Sequence, residues 1–160
     1  MNVWSTESPA APAAPGKVRR AAALLHLSLA VLIAAAVIVQ VYLIGAYIFG
    51  AGQGALDAHK SAGWSAHAGE MLLLAAAVVA RLPRTDMLLS LALAVIGTAQ
   101  VALASSVKWL GGLHPLFALV VLGLAITLAS RGLRRRRPAQ GTERATYSNE
   151  IRPQRRDAWR

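Results

Sequence analysis

The chain has 160 residues, 56% of them hydrophobic, and a formal net charge of +10. It has no cysteine, which excludes disulfides, Cys-ligated zinc, iron–sulfur clusters and thiol chemistry. The basic residues flank long apolar runs instead of forming a basic face, which argues against nucleic acid as a partner and for lipid headgroups.

Residues 1–16 are rich in Ala, Pro and Ser without apolar periodicity, so 1–20 is expected to be an unfolded tail ending in Lys17, Arg19 and Arg20. The apolar run that follows, 21–49, is too long for a signal-peptide core of about 7–15 residues and reads as a first membrane helix. It breaks at Gly50, Gly52 and Gly54. A second run covers 56–82 and stops before Pro83; a third covers 87–107; Gly111 and Gly112 then turn the chain into a fourth, 113–130. Each reaches at least the roughly 17 residues needed to cross a hydrocarbon layer. Whole turns such as Met71 to Ala80 lack any polar side chain, which rules out a soluble helix with one wet face.

The expected fold class is therefore all-α, a transmembrane four-helix up-and-down bundle over residues 21–131, followed by a basic unfolded tail over 132–160. Orientation follows from loop charge. Lys17, Arg19 and Arg20, then Arg81 and Arg84, then Arg131 and Arg134 to Arg137 mark the two termini and the middle loop as cytoplasmic, while the other two loops hold only Asp57, Lys60 and Lys108.

An ionisable residue inside a membrane helix is costly and marks a candidate site. His59 and His114 lie near the outer ends of the second and fourth helices, at matching depth. Two level imidazoles on different helices of one bundle meet what a bis-histidine haem requires, one ligand on each axial face. Gly63 and Ala118 stand four residues after them, so one turn further along each face presents almost no side chain to a flat macrocycle. The plainer alternative for each histidine is an ordinary polar residue at headgroup level. Gln40, His67 and Gln100 fall at mid-membrane depth with Glu70 one turn deeper, and together read as a polar core that fixes helix packing. His26, near the other end of the first helix, has no partner at its depth.

Gln40-Val-Tyr-Leu43 recurs as Gln100-Val-Ala-Leu103, each followed by a loop and then a His with a small residue four places on. The chain thus reads as two tandem helical hairpins, related by a pseudo-twofold axis along the membrane normal. That axis would set His59 and His114 at equal heights across the bundle centre.

The pattern Gln40…Gly45…His59-x-x-x-Gly63 with Gln100…His114-x-x-x-Ala118 resembles one four-helix half of haem A synthase. It is similar, too, to small bacterial four-span membrane proteins that carry stretches like Asp57-Ala-His-Lys-Ser-Ala-Gly63 and Leu113-His-Pro-Leu-Phe-Ala-Leu119. The resemblance covers about residues 21–131. It implies haem b with His59 and His114 as its iron ligands, and a bacterial inner membrane as the location. Only one half is present, so the resemblance implies a redox carrier and not the synthase reaction; Asp57 is the one acid in the external loops.

The expected function is a membrane b-type haem protein exchanging electrons with a quinone or an external redox protein. Lys60 and Lys108 are placed to meet the haem propionates, and Trp64 and Trp109 to anchor the interface. Two alternatives stay open: a cofactor-free accessory subunit, and a small proton-linked transporter using Glu70 with His67. A second copy of the chain also remains an open partner.

Overall fold

The computed structural model describes residues 16–104 and 108–136, with the side chain of Lys108 left out. Helices α1 (Lys17–Ile48), α2 (Gln53–Ala80), α3 (Arg84–Ala104), the short α4 (Lys108–Gly111) and α5 (His114–Arg136) follow one another, and no strand occurs among the described residues. Lys17–Ile48, Gln53–Ala80, Arg84–Ala104 and Trp109–Arg136 are each long and apolar enough to cross a bilayer.

The helices overrun the apolar stretches that announce them. Lys17, Arg19 and Arg20, assigned from the sequence to an unfolded tail, form the first turn of α1, where Arg20 N–H donates to Gly16 O at 3.2 Å. At the other end α5 continues from Ser130 through Arg136, with Arg134, Arg135 and Arg136 in its last turn. Both extensions have the same cause. Lys and Arg are good helix formers whose long stems carry the charge to the interface, and at the C-terminal end of α5 alone the cations also meet the helix's partial negative charge. The remainder of the expected tails, and residues 105–107 of the expected third span, lie outside the described residues.

Two turns have backbone demands that the sequence meets differently. Between α1 and α2, Gly50 and Gly52 take φ of 94° and 84°, where a residue without Cβ carries no steric penalty. Between α2 and α3 the left-handed position is Arg81, φ 51°, and Leu82 N–H closes the helix end by donating to Ala77 O at 3.1 Å. Pro83 follows and cannot continue the helix.

The four long helices form a square. α1 packs on α2 and α5, and α3 packs on α2 and α5, which leaves α2 and α5 facing each other along one diagonal. Ala30, Ile33 and Val37 of α1 meet Leu73, Leu93, Val121, Ala125 and Leu128 in a compact core towards the end of the bundle that carries the arginines. The rest of the apolar surface points outward. Only 22–28% of the most apolar window of each span is buried, so most of that surface needs an apolar solvent, and a bilayer supplies one. At the opposite end the core gives way to cavities, and the histidines stand there.

Candidate functional site: a histidine pair across the bundle diagonal

His59 lies in the second turn of α2 and His114 opens α5. His59 Nδ1 is 3.0 Å from the main-chain oxygen of Gln40 on α1, and His114 Nδ1 is 3.1 Å from that of Gln100 on α3. A carbonyl oxygen only accepts, so each Nδ1 carries the proton and donates it. Each imidazole is thereby held as the tautomer whose Nε2 keeps its lone pair, with the ring's orientation set by the same bond. The helical carbonyls can take this extra donor because each has two lone pairs.

The two rings stand 6.2 Å apart between centroids, with planes at 77°. A cavity of about 360 Å³ and another of about 350 Å³ share Gln40, Ile44, His59, Gln100 and His114 in their walls, so the histidine pair sits between them. The first also touches Lys60, Gly63 and Trp64 of α2; the second touches Pro115, Ala118 and Leu119 of α5. The sequence-derived set is thus brought together around two adjoining cavities: His59 and His114 line both, Gly63 and Lys60 the first, and Ala118 the second. The side chain of Lys108 lies outside the described residues. Trp64 and Trp109 are both exposed on the bundle surface.

Two features differ from the reading of the sequence. The space above Gly63 is taken in part by α1: a Cβ there would lie 3.1 Å from Gln40 Oε1, so the glycine makes room for a carboxamide. Gln40 and Gln100 also stand at the level of the histidines instead of with His67 and Glu70. Eight residues of α1 follow Gln40 and six of α2 precede His59, so helix rise alone sets them at nearly one depth. Gln100 Oε1 is buried without a hydrogen-bond partner beside the same cavities.

The expected polar core is accordingly a pair. His67 Nδ1 lies 3.0 Å from Glu70 Oε2, one turn along α2. Glu70 is buried at 3% exposure, and its carboxylate fills the space that a side chain on Gly97 of α3 would need. Trp64 packs edge-on against His67 at 6.4 Å.

At the arginine end the structure holds a cluster that the sequence reading missed. Asp86, in the first turn of α3, is fully buried and ion-paired with Arg131 and Arg135 of α5. Ser90 Oγ donates to Asp86 O at 2.7 Å and receives His26 Nε2–H at 3.0 Å, so His26 does have a partner. Its signal in the sequence was an acid at a helix start opposite two arginines spaced i, i+4.

Among the described residues no three or more His, Cys, Asp or Glu side chains cluster to enclose a metal ion. The histidine pair offers two nitrogens and leaves every other coordination position to a ligand. Fold and site together define a class: a four-span helical membrane protein whose two tandem hairpins present one anchored histidine each towards a shared gap. Comparison with family models, curated proteins and solved structures gives no match to this chain.

Proposed function

We propose that the chain is an integral membrane b-type haem protein, carrying one haem between His59 and His114 and passing single electrons between a membrane quinone and a redox protein. The observation that carries this reading is the spacing and anchoring of the two rings. Nitrogens bonded to one metal at about 2.0 Å each lie about 4 Å apart, and adding the ring radii puts the centroids roughly 6 Å apart. The rings stand at 6.2 Å. The flanking cavities favour a macrocycle over a bare ion, because a two-coordinate ion needs no space on either side of the pair.

In this reading the bound haem supplies a one-electron carrier. The chain does the rest. Gln40 and Gln100 hold the imidazoles in the ligating tautomer through their carbonyls; Ile44, Ala118 and Leu119 would exclude water, and Lys60 would meet the propionates. The arginine-rich end and both termini belong in the cytoplasm of a bacterial inner membrane, which sets the histidine pair near the opposite surface.

A cofactor-free accessory subunit is the second reading, and the same hydrogen bonds favour it: they tie α2 to α1 and α5 to α3 through protein atoms alone. Absorption spectroscopy separates the two. Protein purified in detergent from haem-replete cells should show a low-spin bis-histidine spectrum, lost in His59→Ala and in His114→Ala. A folded wild-type chain without haem sinks the proposal and leaves the subunit.

A further inference from the structure

We propose that Glu70, with His67, holds the proton that compensates an electron gained at the histidine pair, so that reduction and proton uptake are linked. The inference rests on the haem reading above, and four observations support it.

The first is position. Glu70 follows His59 by eleven residues, close to three helical turns, so it lies beneath His59 on the same face of α2, about 16 Å along the axis. Second is isolation. The carboxylate is 3% exposed, and His67 is its sole ion-pair partner among the described residues. What meets this stretch of α2 from α3 is Gly97, and from α1 it is Ile33, which packs on Gly69. The charged or titratable groups of α1 lie towards its two ends: Lys17, Arg19, Arg20 and His26 at one, Tyr42 and Tyr47 at the other. Those of α3 are Arg84 and Asp86, and Asp86 is taken by Arg131 and Arg135 of α5.

Third is proton count. With one proton shared between them, Glu70 and His67 form a neutral pair, either as carboxylate and imidazolium or as acid and imidazole. Without that proton the pair is a carboxylate beside a neutral imidazole, so it has room for one proton when negative charge is added nearby. Fourth is access. The ring of His67 contacts Trp64, which lines the cavity beside the histidines, so the pair adjoins that cavity.

An electron delivered to the site by a hydroquinone adds one negative charge to the same interior. It strengthens the hold of the pair on a proton, which arrives from water and comes to rest on the Glu70 carboxylate or its His67 partner. Linkage makes the effect reciprocal: the proton raises the electron affinity of the site by the same factor.

The test is a redox titration of the haem-loaded, full-length protein at a series of pH values, in wild type and in Glu70→Gln. The wild-type midpoint potential should fall as pH rises, with a slope below the roughly 59 mV per pH unit of full one-proton coupling, because about 16 Å separates the charges. In Glu70→Gln the potential should stay flat with pH while the visible spectrum is unchanged. Equal slopes in the two proteins overturn the inference. Where the variant fails to assemble, the reduced-minus-oxidised infrared difference spectrum of the wild type decides: a carboxylic-acid carbonyl band or an imidazolium ring band that shifts in heavy water supports the proposal, and the absence of both overturns it. A wild-type chain that takes up no haem fails at the earlier step, overturning the haem reading and this inference with it.

Discussion

His59 and His114 face each other across the diagonal of the bundle, 6.2 Å apart, and each is tied through Nδ1 to the main-chain oxygen of a glutamine on the preceding long helix. The same bond is made twice, once in each hairpin, with Gln40 and Gln100 in equivalent places. Main-chain carbonyls make this anchor independent of the glutamine side chains, so the geometry survives changes of residue type at those positions. The side chains remain available to line the cavities.

On the proposed haem reading, the position of a removed histidine should be refillable from solution. In His114→Gly the anchor to Gln100 is lost together with the ring, and a gap opens beside an existing cavity. Added imidazole should enter the gap and restore the low-spin spectrum that the substitution removes. Titration of the visible spectrum with imidazole measures it. A variant that binds haem unchanged before any addition would show that His114 is not a ligand.

Gly97 is predicted to be intolerant of even one methyl group. A Cβ there would collide with the Glu70 carboxylate, which could swing aside only by leaving its hydrogen bond to His67. Gly97→Ala should therefore lower stability by about 1–3 kcal/mol. Thermal unfolding in detergent, followed by circular dichroism, gives the value. In a Glu70→Ala background the same substitution should cost much less, and an undiminished cost there would mean that the crowding lies elsewhere.

Asp86 bridges α3 and α5 at the arginine end. Its carboxylate is fully buried against Arg131 and Arg135, whereas the arginines keep roughly a third or more of their side chains exposed. Removing one partner of a buried ion pair costs about 3–5 kcal/mol, and the exposed arginines put this case at the lower end, near 3 kcal/mol. Asp86→Asn should show that loss in the same melting experiment, and added salt should narrow the gap to wild type. No change in melting temperature would reduce the pair to a surface contact.

The four spans were legible because lipid solvent imposes a strong pattern: apolar on every face, with Lys and Arg at the rims. The histidine pair was legible through its repeat, since His59 and His114 follow matching Gln-Val-x-Leu segments. Helix ends were read too short, because Arg131 to Arg136 and Lys17 to Arg20 are polar yet helical, and polarity marks where hydrocarbon stops, not where the helix stops. The depth of Gln40 was misjudged for a related reason. The apolar run of α2 begins at Leu56, whereas the helix itself starts at Gln53. Asp86 escaped notice because a lone acid near a basic loop resembles any interfacial charge; only the packing of α5 against α3 brings the two arginines to it. His26 likewise found its partner 64 residues away, a distance over which sequence spacing carries no information.

That contact gives the last prediction. The Ser90 hydroxyl donates its hydrogen to Asp86 O, so it can only accept from His26, whose Nε2 must be the protonated nitrogen. His26 Nδ1 is then a buried acceptor without a partner. Ser90→Ala would leave both ring nitrogens unmatched at 1% exposure, and hydrogen bonds between membrane helices are worth about 0.6–1.7 kcal/mol. His26→Phe removes both nitrogens at once while keeping a ring between α1 and α3, so it should cost less than Ser90→Ala. In the His26→Phe background, Ser90→Ala should lose most of its effect, as a double-mutant cycle on thermal stability would register. Equal losses in the two backgrounds would show that the serine acts through Asp86 alone and that the histidine is a spectator.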